Sequence, residues 1–254
     1  MTYQFTVSPD FGPSHIAGWQ IFNTWLQRQL SEAIHFELYD SFEQQRQAIL
    51  QDKIDLIYAN PYDAAMLVRE KGFQAMAKAG NKSDEAMIVV NADSHFKKIE
   101  DLTPGIKVAT TDDPDVNMMG MIMLEPADLT RQQVEFVPCD SYVLVAKQLL
   151  RQTSDVGFFL EEAYRDLSSM VREQMHVLVS SQIQVIQHVL LVAPTLANRK
   201  EELTRMLLAM EQDAKGQGVL ESLGISSWQA LSQEEVEFMI DLMSTLVDSE
   251  SNQA

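Results

Sequence analysis

The chain is short of cysteine, glycine, proline and positive charge, and each shortage excludes something. A single cysteine in 254 residues, Cys139, rules out an internal disulfide. With Asp140 beside it and no histidine near in sequence, it reads as a buried, inert thiol rather than a nucleophile. Ten glycines and eight prolines are too few for a collagen-like or low-complexity chain. Only 19 Lys and Arg stand against 37 Asp and Glu, a formal charge of −18. A chain so acidic repels phosphate backbones and anionic lipid surfaces, so no nucleic-acid partner is expected. No apolar run approaches the roughly 18 residues of a membrane span, so no membrane insertion is expected either.

Chemical motifs are equally sparse. There is no Gly-rich phosphate loop, no serine elbow and no Cys–His arrangement. The histidines (His15, His35, His95, His176 and His188) are scattered, without a zinc-type helical pair. No cofactor, no metal and no catalytic residue are therefore expected. Asp10 and Glu161 would be an acid–base pair only on the strength of their strand-end positions. The densest acidic cluster, Asp112, Asp113 and Asp115, suits an ammonium group or hard cation, but reads more simply as a solvated loop with Asp115 capping a helix. Met118, Met119, Met121 and Met123 read as a helix flank in the core, not as a thioether metal site.

What is present is alternation. Met1-Thr2-Tyr3-Gln4-Phe5-Thr6-Val7 alternates polar and apolar residues and reads as a strand, not a secretory leader. On that reading the chain is cytoplasmic as written, or periplasmic if a leader is missing from it. Ile16, Trp19, Phe22, Leu26 and Leu30 recur at helical spacing, with Trp19, Phe22 and Trp25 expected in the core. Strands follow at 34–39, 54–59 and 73–77. Between them, Ser41 caps one helix and Pro61 opens another. Further strands are expected at 87–90, 106–110, 134–137, 155–159, 176–179 and 189–192, with helices at 116–124 and 141–150. The rest is helical: Asn198 is the expected cap of one helix, and Ser232-x-x-Glu235 forms a capping box before another carrying Val236, Met239, Ile240 and Met243.

Strand–helix alternation predicts parallel pairing through right-handed crossovers, hence an α/β fold of two Rossmann-like lobes. The expected lobes are 1–85 with 190–254, and 86–189, joined by two hinge strands at 87–90 and 189–192. Such sheets bind ligands outside the carboxyl ends of their strands.

Several segments resemble, in order, the phosphate/phosphite/phosphonate solute-binding proteins of import transporters. The run KIDLIYANPYDAAML at Lys53–Leu67 is similar to the family's "lysine, apolar, Asp, four apolar, Gly-Pro" segment. Val7-Ser8-Pro9-Asp10 resembles the opening strand and turn, and IVVNADSHFKKIEDLTPGIKVATTDDP resembles the hinge strand and the stretch after it. TSDVGFF, VLLVAP and GVLESLGI resemble later landmarks. The resemblance implies a type II periplasmic-binding-protein fold and ligand capture by closure, not a reaction. It also implies a small polar ligand and, as partner, a transporter permease; a cytoplasmic sensor or adaptor engaging a partner protein is the alternative.

The departures carry information too. The family grips phosphonate oxygens with Ser-Thr-Ser-Gly after Asp-Pro; here Asp113-Pro114 precedes Asp115-Val116-Asn117-Met118-Met119-Gly120. The family's Gly-Pro, helix histidine, polar pair and cleft aromatic fall at Asn60-Pro61, Tyr142, Gln187-His188 and Phe42. The expected ligand contacts are Asp10, Phe42, Asn60, Tyr62, Asn117, Tyr142, Gln187 and His188. Phe42 or Tyr62 would wall the ligand, and Asn60, Asn117 and Gln187 would hydrogen-bond it.

Overall fold

The computed structural model describes residues 2–10, 13–80 and 82–251. In chain order the strands and helices are β1 (Thr2–Val7), α1 (Pro13–Leu30), β2 (Ala33–Glu37), α2 (Phe42–Leu50), β3 (Leu56–Ala59), α3 (Pro61–Ala65) and β4 (Gln74–Ala79). Then come β5 (Ala86–Asn91), β6 (Lys107–Thr110), α4 (Pro114–Met123), β7 (Glu135–Pro138), α5 (Tyr142–Leu150), β8 (Val156–Leu160), α6 (Glu161–Arg165), α7 (Ser169–Arg172) and β9 (Met175–Ser180). The chain ends with β10 (Val189–Val192), α8 (Lys200–Leu208), α9 (Ala214–Leu223), β11 (Trp228–Ala230) and α10 (Gln233–Ser251). It divides into two compact units, 1–83 with 187–241 and 84–186 with 242–254.

The first unit is built on a six-stranded sheet of order β11-β4-β10-β3-β1-β2. Its central strands show why a short apolar run folds this way. Phe5, Val7, Leu56, Tyr58, Leu190 and Val192 point into one core, while Ile57, Ala59, Val189 and Leu191 point into the other. Strands covered on both faces are continuous hydrophobic runs, as LIYA and VLLV are. The first face is closed by α1, α8 and α9 through Trp19, Phe22, Leu203, Leu207 and Leu220. The second is closed by α2, α3 and the start of α10 through Ile49, Ala64, Val236 and Ile240. Each fully buried Leu, Ile or Phe contributes about 1.5–3 kcal/mol.

The expected parallel pairing holds for only part of each sheet. β1 pairs parallel with β2 and β3, but β10 lies antiparallel between β3 and β4, and β11 adds antiparallel to β4. A strand that returns from elsewhere in the chain enters from the opposite end, and local periodicity does not report its direction.

The second unit carries a five-stranded sheet of order β7-β6-β8-β5-β9. β6 pairs parallel with β7 and β8, and β5 runs antiparallel to β8 and β9. Its core includes Ile88, Val108, Val116, Met119, Val145 and Phe158, and Met243 from α10. Met118, Met119 and Met121 are buried there and Met123 packs against the same cluster, so the methionine run is core.

Two capping expectations also change. Asn198 does not cap α8: it lies within a 3₁₀ segment, Pro194–Arg199, and the cap position is Arg199, without a side-chain bond. Asp115 is not the cap of α4; Asp113 is, because Pro114 takes the first helical position. Nor is the cluster solvated, since Asp113 and Asp115 are both buried.

Candidate functional site

In the first unit, β1 and β3 deliver their carboxyl ends to the same edge of the sheet. Val7 pairs with Tyr58, and Ser8-Pro9-Asp10 and Asn60-Pro61-Tyr62 follow. β10 runs the other way, so its entrance, Gln187-His188, arrives at that edge too, with Val189 opposite Ala59. Phe42 opens α2 after β2. The sheet thus gathers Asp10, Phe42, Asn60, Tyr62, Gln187 and His188 at one end, although they are far apart in sequence.

The local bonds explain the arrangement. The Asn60 amide donates to Ser8 Oγ at 2.7 Å, and the Ser8 amide donates to the Tyr58 carbonyl at 3.0 Å, which stitches the two turns together. Asn60 Oδ1 accepts from the Tyr62 amide at 2.9 Å and so caps α3. Its Nδ2 has no hydrogen-bond partner among the described residues, although Asn60 is fully buried. His188 Nε2 lies 2.8 Å from Asp10 Oδ2, both side chains buried, at ion-pair separation but without the direction of a good hydrogen bond. The His188 ring also leans on Tyr58, with centroids 5.3 Å apart.

Beside them stands a group that sequence reasoning missed. The Arg46 guanidinium lies 5.6 Å from the Phe42 ring and 5.2 Å from the Tyr62 ring, and pairs with Asp63 through Nε–Oδ1 at 2.5 Å and Nη2–Oδ2 at 3.3 Å. Its signal was available: Arg46 is four residues beyond Phe42, on the same helix face. Burial pushes the Asp63 carboxyl above its ordinary value, Arg46 pulls it back, and the nearby Asp10 charge pushes it up again. The ion pair and the upward shift point in opposite directions, and burial prevails because the Asp63 side chain is only 4 % exposed. Phe42 is buried, whereas Tyr62 is exposed and available as a wall.

In the second unit the corresponding strand end lies after β6. Asp113 Oδ1 accepts from the amides of Asp115 (3.1 Å) and Val116 (3.3 Å), and Oδ2 accepts from the Tyr142 hydroxyl at 2.8 Å. Asn117 is tied by both ends: Nδ2 donates to the Thr111 carbonyl at 2.9 Å, and Oδ1 accepts from Thr110 Oγ1 at 2.7 Å. Asn117 and Tyr142 are thus brought together around one helix terminus, bonded to their own unit.

Asp10 lies beside His188, and Glu161 Oε1 pairs with Arg165 at 2.6 Å. Cys139 is partly buried, and burial and Asp140 both push its thiol upward, away from reactive thiolate. No described helix is long and apolar enough to cross a membrane. No cluster of metal-ligating residues occurs among the described residues.

The fold is shared with solved structures. A phosphonate ABC-transporter binding component from Pseudomonas aeruginosa is 15 % identical, with 99 % of this chain and 96 % of that one covered and a TM-score of 0.78. PhnD1 of Prochlorococcus marinus, solved with methylphosphonate, is 11 % identical over 97 % and 98 %, TM-score 0.82. A Xanthomonas citri protein solved with chloride is 15 % identical over 100 % and 99 %, TM-score 0.81. No curated protein matches the sequence. At such identities the likeness establishes the two-lobed type II periplasmic-binding-protein fold. Residues 5–236 match the family described as "ABC transporter, phosphonate, periplasmic substrate-binding protein", and the chain belongs to that family of solute-binding proteins.

Proposed function

We propose that the chain is a non-catalytic binding protein that captures a small polar solute for an ABC-transporter permease, at the periplasmic station its family occupies. The observation that carries this is the buried Asn60 amide group. Its Nδ2 lacks an acceptor among the described residues, at a strand end where Asp10, Tyr62, Gln187 and His188 also gather. A buried donor left without an acceptor costs about 1–3 kcal/mol. A fold retains such a cost where a ligand oxygen supplies the missing acceptor. Tyr62 serves as an exposed wall, and Arg46 between two aromatic rings fixes its position.

The test is a thermal-shift screen over phosphate, phosphonates, amino acids, amines and divalent ions, followed by calorimetry on any hit. A bound solute raises the melting temperature by mass action. Asn60→Ala is expected to weaken a hit by on the order of ten-fold or more, the loss of one buried hydrogen bond. Indifference to every class of solute would remove the reading.

A further inference from the structure

We propose that the strand end of the first unit binds a protonated amine of its ligand, with Asp10 as the anion that receives it and Gln45 Oε1 as a further acceptor. The inference rests on the solute-binding reading above and names the ligand class at that site: an amino compound that also carries an oxygen acceptor.

The sequence makes hydrogen-bond donors scarce here. Each of the two turns contains a proline, Pro9 or Pro61, with no N–H to give. The amides around them are already used. Ser8 donates to the Tyr58 carbonyl, Asn60 to Ser8 Oγ and Tyr62 to Asn60 Oδ1. The Arg46 guanidinium is committed to Asp63. Gln45, on α2, spends its donors on the same strand end: Nε2 donates to the Val7 carbonyl at 2.7 Å and to Thr6 Oγ1 at 3.2 Å. A carbonyl can only accept, so this contact fixes which end of the Gln45 amide is which.

The atoms left over are mostly of one kind. Among the described residues, Asp10 Oδ1, Asp10 Oδ2 and Gln45 Oε1 lack a hydrogen-bond donor, whereas Asn60 Nδ2 lacks an acceptor. All lie away from bulk water: the Asp10 side chain is 1 % exposed, Gln45 1 % and Asn60 0 %. His188 Nε2 stands 2.8 Å from Asp10 Oδ2, but a ring nitrogen offers one proton at most, while a carboxylate has about four lone-pair sites. An ammonium answers such a set best, because it brings three donors, no acceptor and the opposite charge. A hydroxyl brings one donor and no charge. An oxygen elsewhere on the same ligand meets Asn60 Nδ2, so one amino compound matches both signs. The formal charge of −18 also draws cations toward the protein.

The experiment measures, by calorimetry, two pairs of compounds that differ in the amine: 2-aminoethylphosphonate against ethylphosphonate, and β-alanine against propionate. The wild type and Asp10→Asn are compared, with circular dichroism to establish folding. In the wild type the amino member of a pair is expected to bind on the order of ten-fold or more tighter, the worth of a hydrogen bond to a charged group. In Asp10→Asn that preference is expected to collapse. A substitution that merely loosens the fold would weaken both members alike and leave their ratio unchanged, and an unchanged ratio overturns the proposal. So does a wild type that binds the amine-free member equally well. Should Asp10→Asn fail to fold, the wild-type ratios decide alone. Binding of amine-free solutes only, inorganic phosphate among them, defeats the amine assignment and leaves the solute-binding reading standing. Response to no solute of any class removes both.

Discussion

His188 Nε2 and Asp10 Oδ2 sit 2.8 Å apart at the carboxyl edge of the first sheet, with side chains 4 % and 1 % exposed. Removing His188 takes away the one neighbour that faces the Asp10 carboxyl at this distance among the described residues. His188→Ala is expected to destabilise the first unit by about 3–5 kcal/mol, the cost of a buried charge without its partner. Replacing both, as Asp10→Asn with His188→Gln, should recover much of that loss. Urea denaturation of the three proteins measures it. Equal losses for the single and double variants would mean that the two groups do not act as a pair.

Asp63 supplies a pH signature. Its carboxyl titrates above the ordinary value in the folded protein because it is buried, so between the unfolded and folded values the native state holds more protons. The stability this group contributes is therefore present at acid pH and is lost as pH rises through the raised value. Asp63→Asn is expected to flatten the fall in stability upward from about pH 4. Comparison of melting temperature against pH in the two proteins reveals it. A difference that instead grows toward acid pH would reverse the assignment.

Glu85 holds a loop. Its carboxylate accepts from Ser181 Oγ, from the Ile183 amide at 3.1 Å and from the Gln184 amide at 2.7 Å, all within the second unit. Gln184 has a positive φ of 59°, a conformation that an L side chain keeps only under constraint. Glu85→Gln is expected to cost about 1–3 kcal/mol and to speed hydrogen exchange at Ile183 and Gln184. Unchanged exchange there would show that the backbone holds the loop without the acid.

Gly18 of α1 lies tightly against Ser222 of α9. A Cβ on it would fall inside the contact radius of the Ser222 carbonyl oxygen, a backbone atom that cannot rotate away. Gly18→Ala should therefore destabilise by about 1–3 kcal/mol, even though alanine is the better helix former. Thermal melting tests this; a stabilised variant would mean that the two helices separate freely.

Much of the fold was legible, because the cores are written as alternation. Phe5 and Val7 against Thr6, or Leu56 and Tyr58 against Ile57, divide the strands into their two faces. Pairing direction was not legible at β10, since VLLV reads the same whichever way it runs. The α4 cap was misread although the clue was present. Proline favours the first helical position, so Asp113 rather than Asp115 had to precede the helix, just as Asn60 precedes Pro61. In α10 the stripe of Val236, Met239, Ile240 and Met243 continues without a break, yet its first three residues pack in one core and Met243 in the other. Periodicity names the buried side of a helix, not the core that receives it. Around the candidate site, the strand ends and their polar residues were legible from spacing and resemblance. The Arg46–Asp63 pair and the closure of the α4 terminus were not, because both depend on side chains meeting across a fold.

The antiparallel insertion of β10 has a consequence for biosynthesis. The first sheet has a vacant middle place between β3 and β4 until residue 192 has left the ribosome. By then the entire second sheet, β5 to β9, has already been made. The nascent first unit therefore waits with two unsatisfied strand borders, the kind of exposed hydrogen-bonding rows that invite mispairing. Closure of this sheet is late and non-local, the kind of contact that forms slowly because a long loop must close first.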